Sequence, residues 1–186
     1  MTTQTRPAPP WQVDRWYNTP EAITLESLRG KVVVLEAFQM LCPGCVSHGL
    51  PQAARVHATF PDDQVAVIGL HTVFEHHDAM TPVSLQAFLH EYRIGFPVGV
   101  DRPGTHGPIP RTMQSYPMRG TPTLTLIDAQ GRIRHQHFGQ VSDLVLGAQI
   151  ASLVHEAQAL VSAESEDRSA AAATACTADG CAVPSV

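Results

Sequence analysis

The 186-residue chain has no run of Lys or Arg, and its formal net charge is −5. A surface built to neutralise phosphates is therefore not expected, and neither is a nucleic-acid partner. No apolar stretch approaches the roughly 18 residues that read as a bilayer span. The opening "MTTQTRPAPPWQVDRW" lacks the apolar core of a secretory leader, so the expectation is a cytoplasmic protein with no membrane partner. No internal repeat is visible. Cysteine is scarce, with four residues in two close pairs, Cys42/Cys45 and Cys176/Cys181. In a reducing compartment such pairs are more often catalytic or metal-binding than structural.

The composition that is present is ordinary, 44% hydrophobic and 16% charged, and the length suits one domain with a sizeable core. Residues 1–10 are polar and Pro-rich and read as ordered only by docking. "ITLESLRGK" (23–31) suggests a short helix or turn ending at Gly30. "KVVVLEAF" (31–38) is a continuous apolar run of the kind buried on both faces of a sheet. From Pro43 to about Thr59 the pattern is helical, with a break near Gly49–Pro51. "QVAVIGLHT" (64–72) is a second buried strand, "SLQAFLHEYR" (84–93) an amphipathic helix and "FPVGVD" (96–101) a third strand. "DRPGTHGPIPR" reads as a loop. "TPTLTLID" (121–128) and "RIRHQHFG" (132–139), joined by "AQG", make a β-hairpin. A long helix covers 142–162, with Ser142 or Asp143 as its cap. The fold class is α/β, a central mixed sheet flanked by helices. Residues 1–162 form the domain, and 163–186, poor in large apolar residues, are expected to be a flexible tail.

The chemistry centres on "CPGC". The strand ends near Phe38 and the helix starts near Pro43, a residue favoured at the first helical position. Cys42 then caps the helix, where backbone N–H groups and the positive end of the dipole favour a thiolate, the nucleophilic form. Cys45, one turn further in, is placed to attack a mixed disulfide on Cys42, so the pair can cycle between dithiol and disulfide.

With these residues in view, "ITLESLRGKVVVLEAF…CPGC" and "GTPTLTLIDAQGRI" resemble the thioredoxin-like proteins of the TlpA/ResA group. "GLHTVFE" and "RHQHFG" look most like the thioredoxin-like domain of the DipZ type. The resemblance spans roughly residues 20–160. It implies a thioredoxin fold and thiol–disulfide oxidoreductase activity at Cys42 and Cys45, on a protein or small thiol partner and with a separate electron donor or acceptor, without a cofactor. It also implies that Thr121–Pro122 is a cis peptide beside the cysteines, leaving the Thr121 backbone to pair with a substrate chain as an added strand. Glu36, six residues before Cys42, matches the position of the family's buried acid. Buried, it should titrate high and could exchange a proton with Cys45. Three departures stand out. Leu41 occupies the place usually held by Trp, the central dipeptide is Pro-Gly rather than Gly-Pro, and Pro51 lies six residues after Cys45 instead of five. One extra residue therefore sits in that turn.

Two other readings use the same residues. A peroxiredoxin-like peroxidase needs Thr and Pro before its reactive cysteine, and residues 38–41 are "FQML". A copper or zinc chaperone could use Cys42, Cys45 and His48 as CxxCxxH, with His76, His77, His135 and His137 in the same chain. The tail pair, Cys176 and Cys181, flanks "TADG", turn chemistry that lets two thiols meet. A coil of about 12 residues from Glu164 reaches on the order of 20 Å. On that footing the tail pair could relay electrons to Cys42–Cys45 or hand over a soft metal.

Overall fold

In the computed structural model, residues 5–174, 176–177 and 180–181 are described, with side chains described through residue 163. The sheet has seven strands: β1 (Arg6–Pro7), β2 (Val13–Tyr17), β3 (Val32–Phe38), β4 (Val65–His71), β5 (Val98–Asp101), β6 (Thr123–Ile127) and β7 (Arg132–Phe138). Their spatial order is β1-β7-β6-β3-β4-β5-β2. β3 runs parallel to β4 and antiparallel to β6, and β4 runs parallel to β5. This is the mixed sheet expected from the sequence. All seven residues of β3 are buried, as its unbroken apolar run requires of a strand covered on both faces.

Alternation along β3 divides the core. Val32, Val34 and Phe38 pack under three helices, α1 (Leu50–Thr59), α2 (Pro82–Glu91) and α4 (Asp143–Thr174), through Ala53, Val56, Leu85, Leu89, Leu146, Ile150 and Leu153. Val33, Leu35 and Ala37 face the opposite way, against Ile68, Leu70, Met113 and Tyr116. Each fully buried Leu or Ile on either face contributes about 1.5–3 kcal/mol relative to exposure. Glu36 is the one charged residue on the helix-covered face of β3.

The N-terminal segment is more than docked coil. β1 pairs with β7, and β2 pairs antiparallel with β5, closing both edges of the sheet. Trp11 donates its indole N–H to the Tyr116 hydroxyl at 2.9 Å, and that hydroxyl donates to the Pro9 carbonyl at 2.8 Å. The segment read as a loop after β5 also contains a short helix, α3 (Arg111–Ser115). The buried Asp101 carboxylate accepts the first backbone N–H groups of α3, from Thr112 at 2.8 Å and Met113 at 3.0 Å, and the Thr72 hydroxyl at 3.0 Å. The carboxylate supplies the partners that a helix N-terminus lacks.

The Ser142 hydroxyl accepts the Val145 N–H at 3.3 Å and so caps α4. The helix does not stop at Ser162, where the sequence reading began a coil, but runs 32 residues to Thr174. No Gly or Pro follows Gly147 within it, and four alanines, the best helix formers, occupy 170–173. Beyond it, β8 (Cys176–Thr177) and β9 (Gly180–Cys181) pair antiparallel, with Cys176 opposite Cys181. The segment Asp143–Ala163 is also long and apolar enough to cross a membrane by length and mean hydropathy (1.4). A search for an uninterrupted apolar run passes over it, because Gln149, Ser152, His155, Glu156 and Gln158 are spread among the apolar residues. Leu146, Ile150 and Leu153 commit one stripe of this helix to the sheet.

Candidate active site

Beyond β3 the chain turns at residues 39–41. The Cys42 N–H donates to the Gln39 carbonyl at 3.2 Å. The Cys42 carbonyl then accepts from Cys45 N–H at 3.0 Å and Val46 N–H at 3.1 Å, the pattern of a residue at the edge of a helix. Pro43 follows as the first helical residue. Cys42 acts as the cap with sulfur in place of a hydroxyl: its Sγ lies 3.4 Å from the Cys45 N–H, the third residue in. On its other side the Cys42 Sγ lies 3.4 Å from the Thr121 carbonyl oxygen.

The two thiols differ sharply in environment. Cys42 is half-buried and Cys45 fully buried, and both are free. Burial, with a further contribution from the Cys42 thiol, pushes the Cys45 thiol well above the usual cysteine range.

From Cys45 to Gly49 the chain forms a π-helical turn before α1 begins at Leu50. A π turn holds one residue more than an α turn. The extra residue counted between Cys45 and Pro51 is taken up there. This turn lies directly on Glu36. A Cβ built on Gly49 would stand 2.2 Å from Glu36 Oε1 and 3.0 Å from Pro122 Cβ, so only glycine permits the approach. Gly44, between the cysteines, meets Pro122 in the same way, at 3.2 Å from its Cδ. The Thr121–Pro122 peptide is cis.

Glu36 is 1% exposed, and its Oε1 has no hydrogen-bond partner. Burial raises its carboxyl from 4.5 to about 8. The carboxyl lines a cavity of about 400 Å³ shared with His48, Gly49, Gln52, Pro122 and Asp143. Gln52 holds the far wall of this cavity, donating to the Val141 carbonyl at 2.9 Å and to Asp143 Oδ1 at 2.6 Å.

Cys42, Cys45, Glu36, Thr121 and Pro122 are thus gathered at one end of the sheet. Leu41, in the position where Trp was expected, is 57% exposed beside them. His48 lies in the π turn and reaches the Glu36 cavity. Among the described residues, no group of three or more His, Cys, Asp or Glu is placed to hold a metal. The side chains of Cys176 and Cys181 lie outside the described residues. Sequence reasoning missed Gly49, Gln52 and Gln39. Gln39 is buried, with its side-chain oxygen accepting the Phe74 N–H at 3.2 Å. A polar residue recurring on the apolar face of a helix was the available signal for Gln52.

Known proteins resemble this chain to differing degrees. A crystal structure of a thioredoxin-like superfamily protein superimposes with a TM-score of 0.78 at 65% identity, covering 80% of this chain and 96% of that one. A thiol-disulfide isomerase from Corynebacterium glutamicum gives 0.76 at 54% identity, covering 79% and 96%. Protein DipZ of Mycobacterium tuberculosis is 30% identical over 145 residues, which is 77% of this chain but 20% of DipZ. The chain therefore spans about a fifth of that relative's length. The pattern of the AhpC/TSA family matches residues 5–136. With the thioredoxin-like fold shared across these relatives and the family pattern covering most of the domain, the chain belongs to the AhpC/TSA family, on its thioredoxin-like side.

Proposed function

We propose that the chain is a thiol–disulfide oxidoreductase whose working couple is Cys42–Cys45 and whose partner is a protein dithiol or disulfide. The observation that carries this reading is the asymmetry of two thiols one helical turn apart, Cys42 half-buried and Cys45 sealed beneath it. The relative named a thiol-disulfide isomerase supports it.

In the reducing direction, the Cys42 thiolate attacks one sulfur of a partner disulfide, and the other partner sulfur leaves as a thiolate. Cys45 must then lose its proton to attack Cys42 Sγ. Its burial makes that loss unfavourable in isolation. Glu36 lies on the same sheet face with its Oε1 unpartnered, and its ionised form, populated as pH rises towards about 8, takes that proton and releases it through the cavity it lines. Cys45 attack forms the Cys42–Cys45 disulfide and releases the partner as a dithiol. Oxidation of a partner is the same sequence reversed. The contact of the Thr121 carbonyl with Cys42 Sγ supports reading the Thr121 backbone as the edge on which a partner pairs as an added strand.

Trapping tests this reading. With Cys45→Ser, a partner should stay joined to Cys42 and be released by dithiothreitol. Full turnover by Cys42→Ser would sink it.

A further inference from the structure

We infer that Cys176 and Cys181 form a second dithiol/disulfide couple, and that it exchanges with the Cys42–Cys45 couple of another copy of the chain rather than with its own. The inference rests on the function proposed for Cys42.

The first ground is the register of the C-terminal hairpin. β8 and β9 pair antiparallel with Cys176 directly opposite Cys181 and Thr177 opposite Gly180. Directly opposed residues of an antiparallel pair have Cα atoms about 4.5–5.5 Å apart. Disulfides span Cα separations of about 4.4–6.8 Å. The backbone thus brings the two cysteines into bonding range with no rearrangement.

The second ground is the length of α4. Its first residue, Asp143, shares the Glu36 cavity with Pro122 at the active-site end of the sheet. The helix then runs 32 residues to Thr174. At about 1.5 Å per residue that is ~48 Å. Cys176 follows two residues later, adding at most about 7 Å of reach. Along such a helix the pair is carried tens of ångströms from its own Cys42. A second molecule has no such constraint. The half-exposed Cys42 Sγ of one copy is open to a short strand offered on the helix end of another.

The exchange balances without any further reagent. A tail thiol loses its proton to solvent, and its thiolate attacks Cys42 Sγ of the other copy's Cys42–Cys45 disulfide. Cys45 leaves as a thiolate and is protonated. The second tail thiol, on deprotonation, attacks the tail sulfur of the mixed disulfide, closing Cys176–Cys181. Cys42 then leaves as a thiolate. One disulfide has opened and one has formed.

Two full-length variants test it, one isotopically labelled. Cys176→Ser/Cys181→Ser keeps only the Cys42–Cys45 couple, and Cys42→Ser/Cys45→Ser keeps only the tail couple. Each is first titrated in glutathione redox buffers. The tail-only variant should form an intrachain disulfide that mass spectrometry locates between 176 and 181. If it forms none at any buffer ratio, there is no second couple. Next, the oxidised form of the first variant is mixed with the reduced form of the second. Disulfide should move to the tail through a heavy–light adduct at Cys42, and tenfold dilution of both should slow it about tenfold, as a second-order exchange requires. No transfer between two competent couples overturns the exchange. In the unmodified chain, transfer at a rate independent of dilution would show the path within one chain and overturn the assignment to another copy, since a tethered pair acts at a fixed effective concentration. Turnover of an external disulfide peptide by the Cys176→Ser/Cys181→Ser variant is read alongside. If it persists while tail exchange fails, only this inference falls, and if it too is absent, the proposed function falls with it.

Discussion

The chain holds two cysteine pairs that differ in how their backbones bring the sulfurs together. Cys42 and Cys45 are neighbours along one helical turn, one half-buried and the other fully buried beneath it. Cys176 and Cys181 are neighbours across two paired strands. The first arrangement gives the two thiols unequal surroundings, because the fold packs around each differently. The second makes no such distinction through its backbone, since each cysteine occupies an equivalent place in the register. On the function proposed above, division of labour between nucleophile and resolving thiol comes from the sheet, the π turn and the Thr121–Pro122 segment around Cys42, and not from the spacing of two cysteines.

The largest effect that sharpens this comparison is at Cys42. Cys42→Ser should lower turnover of a disulfide peptide by at least about a thousandfold, since no other described thiol is open to attack. Cys176→Ser/Cys181→Ser should change the same turnover less than about twofold. Comparable losses from both would erase the distinction. Labelling with iodoacetamide under native conditions should likewise modify Cys42 and leave Cys45 untouched until denaturant is added.

Next in size is Glu36→Gln, which should slow the release of a mixed disulfide by about ten- to a hundredfold. Rapid-quench sampling of the adduct on Cys42 reads this step directly. The same change alters stability in a pH-dependent way. Folding raises the Glu36 pKa from 4.5 to about 8, so between those values the folded state holds a proton that the unfolded state does not. Its favourable contribution is complete below about pH 4.5 and is lost as pH rises through about 8. At about 1.4 kcal/mol per pKa unit the loss is a few kcal/mol and at most about 5. Gln carries no such dependence. The stability advantage of Glu36→Gln over the unmodified chain should therefore widen from pH 5 to pH 9 in urea unfolding, and a constant difference would mean that Glu36 does not titrate in this range.

A smaller effect is expected at Gly49. Gly49→Ala forces a methyl against Glu36 Oε1 and Pro122 and should cost about 1–3 kcal/mol through displacement of the π turn. Gly147→Ala, in α4 with open space around its Cα, should instead be neutral or stabilising by up to about 1 kcal/mol. Equal effects at the two glycines would show that the close approach over Glu36 is not enforced.

Much of this was legible in the residues. The apolar run 31–38, the CPGC after it and the Thr-rich hairpin mark the centre of the sheet and the site, because continuous burial and turn chemistry leave strong local signals. Glu36 is legible because a charge inside such a run has no ordinary structural use. The edges were not. β2 reads "VDRWY", an edge strand whose charged residues face water, so it carries no clean alternation. α3 hides among prolines and glycines because its N-terminal partners come from Asp101, ten or more residues upstream. Residues 163–174 lack large apolar side chains, and that poverty argues against a core without arguing against a helix. Gly49 was visible only as a break, since nothing in one sequence reveals that a carboxyl lies under it.

The π turn at Cys45–Gly49 has a consequence for how this chain tolerates changes in length. In a regular α-helix each inserted residue rotates everything after it by about 100°. Such a rotation would swing Leu50, Ala53 and Val56 away from the sheet they are buried against. A turn of wider bore absorbs the additional residue where it enters, so the downstream face keeps its bearing and the cysteines upstream keep theirs. The same spot should accept removal of one residue, at Val46 or Ser47, by closing to an ordinary α turn, with the core and the Cys42–Thr121 contact unmoved.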